Sequence, residues 1–226
     1  MTFYNQKSRK EVIGVDLKLI TACLIFSLTI GGIAIYIRKI IQGQIAPTKA
    51  SWIIFCMVTS LSLSSFLATK FDLVSGAANC ADMFSSTLGL ITILICGRKE
   101  KIHFKSFEKY YLAAAGACLV FWLVSNNSFV TNLLVQGLTI LGYAPTIHNI
   151  LQAKKSGESK FAWSVWLSAS ILSLYPALAN HNLLATIYSL RGNLMGGSII
   201  VLTFKYPGTP TKKKEERKCR VPSAVE

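Results

Sequence analysis

Charge is scarce in this sequence: only 24 Lys and Arg and 10 Asp and Glu stand among 226 residues, 15% of the chain. Soluble domains carry about 25% charged residues, so the composition argues against a water-soluble globule. The shortage is uneven, because seven long apolar runs hold just two charged side chains, Asp82 and Arg191. Each run approaches the roughly 20 helical residues that cross a bilayer core of about 30 Å.

Motifs for chemistry are also missing. The six cysteines have no C-x-x-C spacing, which argues against a zinc site or a disulfide framework. No nucleophile elbow, phosphate loop or dinucleotide fingerprint occurs, and no second carboxylate joins Asp82 within a run to make an acid/base pair. We therefore expect no enzyme, no metal site and no cofactor. Despite the net charge of +14, no aromatic residues interleave with the basic tail, so we expect no nucleic-acid partner.

The apolar runs predict an all-α integral membrane protein with seven transmembrane helices. Helices are favoured over a barrel because the runs are continuously apolar, and a helix satisfies its own backbone hydrogen bonds in lipid. The predicted spans are Leu19–Ile37, Ser51–Thr69, Leu73–Cys96, Tyr110–Ser125, Ser128–Leu151, Phe161–Ala179 and Leu183–Phe204.

The basic residues between the spans predict the orientation. Five Lys and Arg lie on the N-terminal side of the membrane and eighteen on the other, so we expect a cytoplasmic C-terminus and an outside or lumenal N-terminus. Either a bacterial inner membrane or a eukaryotic secretory or lysosomal membrane fits this pattern. We expect the basic tail to bind anionic membrane lipids.

A shift of 111 residues superposes the second predicted helix on the sixth. It places Trp52, Leu61, Ser62 and Leu63 on Trp163, Leu172, Ser173 and Leu174. This predicts two parallel three-helix repeats joined by a linker helix, a 3+1+3 arrangement about an axis along the membrane normal. The segments are 1–18, an N-terminal segment; 19–96, the first repeat; 97–109, a basic loop; 110–125, the linker helix; 128–204, the second repeat; and 205–226, a basic disordered cytoplasmic tail.

With this repeat, residues 19–204 resemble the PQ-loop superfamily of the SWEET sugar carriers, the lysosomal amino-acid exporters and the KDEL receptor. The resemblance is carried by Gly142-Tyr143-Ala144-Pro145-Thr146-Ile147, Asn149, Lys154-Lys155-Ser156-Gly157-Glu158-Ser159 and Trp166. The family's Pro-Gln pair reads Pro145-Thr146, and the first-half equivalent, Ala34-Ile35, has no proline. The first-half loop is closer to that of small bacterial seven-helix proteins.

Asp82 and Arg191 are the main candidates for a site, because a charge inside a membrane usually faces a partner or a wet cavity. They lie at similar depths in predicted spans of the same direction, so they are able to meet. One hypothesis is a salt bridge that locks the halves together; the other is a site that faces a solute. Asp82 shares a helical face with Ser75, Asn79 and Ser86.

The resemblance implies that polar residues on the third and seventh helices flank a substrate, and the repeat puts Asp82 and Asn193 there. Arg191 is about 200° around its helix from Asn193, so the two cannot face one cavity. The predicted substrate-binding residues are Asn79, Asp82, Asn193 and Arg191. Gly142 and Pro145 are the predicted hinge, although proline is also tolerated near membrane-helix ends.

These features predict a membrane carrier that moves a small polar or charged solute, sugar-like or amino-acid-like, by alternating access. The alternative is a non-transporting receptor or scaffold protein on the same fold, and a homo-oligomer is compatible with both. We expect the serine-rich segment Ser60–Ser65 to serve helix packing. We expect Trp52, Trp163 and Trp166 to lie at the lipid headgroups.

Overall fold

The structure is a computed structural model that describes residues 2–42, 49–96, 104, 106–156 and 158–207. Side chains are described from residue 17 onward, except those of residues 50, 51, 145 and 149. The described part is all-helical. Its helices are α1 (Thr2–Ile41), α2 (Lys49–Thr69), α3 (Ala77–Cys96), α4 (Ser106–Ser125), α5 (Ser128–Ala153), α6 (Lys160–Ala179) and α7 (Leu183–Lys205).

Six of these helices, α1 to α6, are long and apolar enough to cross a membrane, and the apolar part of α1 begins at Leu17. The prediction of an all-α, multi-pass membrane protein is confirmed at this level. The seventh helix, α7, has 23 residues and is long enough as well. It does not reach the same mean hydropathy because it carries Arg191 and Asn193.

Three helix starts differ from the predicted ones. The first helix is continuous from Thr2, so the predicted segment 1–18 is not separate from it. The fourth begins at Ser106 and has 20 residues. The third begins at Ala77 rather than Leu73, because the backbone N–H of Ser75 donates to Asp72 Oδ1 and forms a turn first. Most of the basic loop 97–109, and the tail after Pro207, lie outside the described residues.

Polar caps and left-handed residues explain the tight connections between the later helices. Asn127 caps α5 by accepting from the N–H of Val130 at 3.1 Å, and Asn182 caps α7 by accepting from the N–H of Ala185 at 3.2 Å. Asn126 and His181 adopt φ of 50° and 49° just before these caps. Both Asn-containing turns therefore lie where the sequence placed them.

The helices pack as a closed ring in the order α1, α3, α2, α5, α7, α6, and α6 returns to α1. The remaining helix, α4, packs outside the ring against α5 and α2. In this order α3 and α7 occupy opposite positions. Their side chains can therefore reach one another only across the ring interior.

The outer surface of the ring and of α4 is apolar. Leu123, Val124 and Phe204 are among many large hydrophobic side chains that stay exposed. Such a surface suits lipid rather than water. Below, the upper end of the ring is the end at which α3, α5 and α7 begin, and the lower end is the end at which they finish.

Candidate functional site

The central feature of the ring is a hydrogen bond between opposite helices. The hydroxyl of Tyr188 on α7 donates to Oδ2 of Asp82 on α3. Tyr188 is buried, and its ring packs with apolar residues that include Ala22 and Ile25 of α1. The bond therefore crosses the interior, where a carboxylate is shielded from water.

The helix starts explain why Asp82 meets a tyrosine. Asp82 comes five residues after Ala77 and Tyr188 five residues after Leu183, so both lie about 7.5 Å along their helices. Arg191 lies three residues beyond Tyr188, about 4.5 Å further along α7. Asp72 and Asn182, which contact each other at 3.3 Å, lie ten residues before Asp82 and nine residues before Arg191, so the similar depth of the two charges stays a prediction.

Arg191 is buried, with 7% of its surface exposed, and its guanidinium lies 4.3 Å from the centre of the Tyr188 ring. Its Nε has no hydrogen-bond partner. Among the described side chains, no ion pair joins Arg191 to Asp82; Tyr188 contacts both. A cation–π contact contributes about 0.5–2 kcal/mol, whereas burying an ion costs several kcal/mol. The charge of Asp82 also acts on Arg191 from a distance, but no described acceptor satisfies its Nε–H.

Asn79 lies on the same face of α3 as Asp82, one turn closer to the upper end. The same face carries Ser75, whose hydroxyl donates to the carbonyl of Pro176 on α6 at 3.3 Å. Ser75, about one turn above Asn79, contacts α6, and Asp82, about one turn below it, contacts α7. Asn79 therefore faces the ring interior. It is 2% exposed, yet both its Nδ2 and its Oδ1 lack partners.

Asn193 is about 200° around α7 from Arg191, next to Gly192, which packs against Ser170 of α6. Its buried Oδ1 lacks a hydrogen-bond partner. Its part in substrate binding stays a prediction.

The helix starts bear on the predicted repeat. The first residues of α2 and α6 are 111 positions apart, and those of α3 and α7 are 106 apart. The side chains that accept from the backbone before these last two helices, Asp72 and Asn182, are 110 positions apart. The match of Asp82 with Asn193 under the shift of 111 therefore stays a prediction.

The two predicted hinge residues lie near the middle of α5, which is helical from Ser128 to Ala153. Gly142 faces the outer helix α4, where a Cβ would lie 2.7 Å from the hydroxyl of Tyr111. The side chain of Pro145 is outside the described part, so the hinge stays a prediction. A proline that sequence reasoning overlooked, Pro176, lies inside α6 and is buried.

A polar cluster closes the upper end of the ring. Asp72 Oδ2 accepts from the amide groups of Asn180 and Asn182 at 3.5 and 3.3 Å. Lys18 of α1 donates to Asn180 Oδ1 at 2.7 Å. Burial acts to raise the pKa of Asp72, but hydrogen bonds from Ser75 and Asn182 and the nearby charge of Lys70 hold the pKa below its ordinary value.

An aromatic cluster closes the lower part of the interior. Tyr36 of α1 stacks on Trp52 of α2 and Trp166 of α6, with ring centres 5.4 and 5.9 Å apart. Trp163 contacts Trp166 at 5.5 Å and Tyr143 of α5 at 6.1 Å. Each tryptophan thus contacts other aromatic rings, and the prediction that the three lie at the lipid headgroups stays a prediction.

Two glycines make room for this cluster. A Cβ on Gly32 of α1 would lie 2.6 Å from Nε1 of Trp166, and a Cβ on Gly89 of α3 would overlap the ring of Trp52. Gly89 is seven residues beyond Asp82, about 10 Å along α3. Asp82, Tyr188 and Arg191 thus lie between the polar cluster above and the aromatic cluster below.

A second polar network, on α2 and α5, escaped sequence reasoning. Asn132 Nδ2 donates to the Ser62 carbonyl at 2.8 Å and to Ser65 Oγ at 2.9 Å, and Gln136 Nε2 donates to Ser62 Oγ at 3.1 Å. Ser62 and Ser65 therefore serve helix packing, as expected. Ser60 and Ser64 instead line an apolar cavity of about 410 Å³ between α2, α3 and α4. Asn132 and Gln136 were detectable as polar residues one turn apart in an apolar run.

Comparisons with protein-family models, curated proteins and solved structures found no match to this chain. The resemblance to the PQ-loop superfamily therefore stays a prediction, and the functional argument depends on the geometry above.

Proposed function

We propose that this protein is a membrane carrier that moves a small polar or charged solute by alternating access. The observation that carries the proposal is the set of unsatisfied polar groups in the ring interior. Asn79 and Arg191 are buried and keep unpartnered polar atoms on opposite helices, on either side of the Asp82–Tyr188 bond. Buried polar groups are normally satisfied, so an unpaired set in a membrane interior favours a place for water or solute.

The order of helices around the ring supports a 3+1+3 arrangement. Each set of three helices forms one half of the ring, with the third helix of the set between the first and the second: α1–α3–α2 and α5–α7–α6. The two halves meet at the α2–α5 and α6–α1 contacts, which correspond under a two-fold axis. In this proposal α7 is the seventh span, and its charge is tolerated because neighbouring helices cover Arg191.

The closures at the two ends support alternating access. The upper polar cluster joins α1, α3 and the α6–α7 turn, and the lower aromatic cluster joins α1, α2, α5 and α6. Each cluster thus contains residues from both halves of the ring. Rocking of the halves about the site would separate one cluster while the other stays closed.

The test is uptake by the purified protein in sealed lipid vesicles, with labelled glucose, L-alanine, L-lysine and L-glutamate, with and without a proton gradient. We expect flux of at least one solute and a loss of about tenfold or more in Asp82→Asn, because a membrane carboxylate at such a site is functional. The matched control is Glu108→Gln, which removes a carboxylate from α4 outside the ring.

Absence of flux for the whole panel would contradict the carrier proposal. Saturable binding of a panel member without flux would instead favour the receptor alternative. Thermal unfolding of each variant in detergent separates a loss of function from a loss of folding.

A further inference from the structure

Arg191 is the feature that the proposed carrier leaves unexplained. Its guanidinium is buried, it rests on the Tyr188 ring, and its Nε has no hydrogen-bond partner. The face of the Tyr188 ring attracts the guanidinium. It does not serve as a hydrogen-bond acceptor for the N–H groups, which lie in the guanidinium plane. The Nε–H donor is therefore unused inside the protein.

The nearest candidate for a counter-ion is already engaged. Asp82 is the only carboxylate in the ring helices between Leu17 and Lys205, and its Oδ2 accepts from Tyr188. Tyr188 contacts both charged groups, and among the described side chains no ion pair joins them. The charge of Asp82 acts on Arg191 from a distance, while the Nε–H of the guanidinium keeps no hydrogen-bond partner.

A guanidinium presents five N–H donors in a planar fork, and this geometry matches the two oxygens of a carboxylate. Lys would offer a compact point charge instead. The position of Arg191 also favours a solute over a lipid, because 7% of its surface is exposed and its guanidinium rests on the ring of Tyr188, whose hydroxyl reaches Asp82 across the ring interior.

We infer that the solute of this site carries a carboxylate group, which Arg191 binds through its fork while the Tyr188 hydroxyl donates to Asp82. The inference depends on the proposed carrier site, and it selects organic acids and amino acids over sugars. Binding of the carboxylate supplies the missing partner of Arg191.

The test compares carboxylates with amides of the same shape. The thermal unfolding temperature of the purified protein in detergent is measured with acetate against acetamide, L-lactate against lactamide, and with L-alanine, glucose and inorganic phosphate. We expect the three carboxylates to raise the unfolding temperature and the amides and glucose to leave it unchanged, because a ligand that binds only the folded state stabilises it.

Three variants assign the effect to Arg191. Arg191→Gln should weaken carboxylate binding by about tenfold or more, while Arg191→Lys should retain part of it. Arg38→Gln, which removes an exposed arginine from the last turn of α1, should leave it unchanged. If Arg191→Gln does not fold, a second measurement takes the place of this variant: the inhibition of solute uptake by each carboxylate or amide, in vesicles that hold the wild-type protein.

Equal effects of carboxylates and amides, no effect of any carboxylate, or an effect that survives in Arg191→Gln would overturn the inference. An equal effect of phosphate would overturn the preference for carboxylate and indicate a general anion site. If glucose were transported in an Asp82-dependent manner while carboxylates had no effect, the carrier proposal would stand and this inference would fail. If carboxylates bound through Arg191 but nothing were transported, the carrier proposal would fail instead.

Discussion

Tyr188 controls what the two intramembrane charges can do. Its hydroxyl donates to Asp82, and the face of its ring receives the guanidinium of Arg191. A tyrosine suits both roles because its hydroxyl is a hydrogen-bond donor at the ring edge, while the face of its ring is the negative part of the ring quadrupole. The direct salt bridge that sequence reasoning kept open is therefore replaced by a three-part contact.

Asp72 provides a prediction about pH. Its pKa is held below the ordinary value of about 3.9 for an aspartate, so its ionised form stabilises the fold. The stabilisation is complete above the unfolded-state pKa and is lost as the pH falls through the folded-state pKa. We expect the unfolding temperature of the wild type to exceed that of Asp72→Asn at pH 6 and the difference to shrink below about pH 4.

The effect should be modest, about 1 kcal/mol or less, because the Asp72 carboxylate is partly exposed to solvent. Thermal unfolding in detergent across this pH range measures it. Other acidic residues titrate in both proteins and cancel in the difference. A constant difference at every pH would show that the Asp72 charge plays no part in the upper closure.

Among the helices, close packing at glycine determines where the aromatic cluster lies. The rings of Trp166 and Trp52 occupy the space beside Gly32 and Gly89, respectively, where any other residue would place a Cβ. These two contacts join α6 to α1 and α2 to α3. A helix–helix contact in lipid gains its stability from such close approach, since lipid supplies no hydrophobic driving force between helices.

Adjacent glycines on α1 provide a matched pair of substitutions. Gly32→Ala should destabilise the protein by about 1–3 kcal/mol, because its Cβ would lie 2.6 Å from Trp166 Nε1 in a packed cluster. A Cβ on Gly31 would have no atom within 4 Å, so Gly31→Ala should stabilise the helix by up to about 1 kcal/mol. Unfolding in detergent compares the two, and equal effects would argue against the packing of Trp166 on α1.

For the complete bundle, the distribution of basic residues predicts the sidedness. Eighteen Lys and Arg flank one side of the seven predicted spans and five flank the other, so we expect the lower end of the ring to face the cytoplasm. Reporters that are active in only one compartment, fused separately to each terminus, should place the N-terminus outside and the C-terminus inside. Both termini in one compartment would rule out seven crossings.

Much of the fold followed from periodicity and composition. The apolar runs located all seven helices, and the Asn-containing turns before α5 and α7 lie where they were expected. Errors occurred at helix starts, as at Ala77, which lies four residues after the predicted start because the N–H of Ser75 donates to Asp72 Oδ1 and forms a turn first.

The site was predicted less completely than the fold. The sequence indicated Asp82, Arg191 and Asn79 because charges and amides are conspicuous in apolar runs. It gave no signal for Tyr188, whose hydroxyl donates to Asp82 and whose ring contacts Arg191. It did not indicate the ring contacts of the tryptophans with Tyr36 and Tyr143, because a ring near a helix end suits the lipid boundary and a packed interior equally well.

The amino-acid order was enough to establish that the chain is helical and lies in a membrane. It also showed which few residues cost free energy there. These properties depend on the free energy of transferring each side chain and its backbone from water to lipid. The order of the helices around the ring had to come from packing. That packing places α3 opposite α7, brings Tyr188 into contact with both Asp82 and Arg191, and leaves the Nε–H of one guanidinium without an acceptor. Such pairings join residues about a hundred positions apart, so they depend on distances that no local pattern encodes.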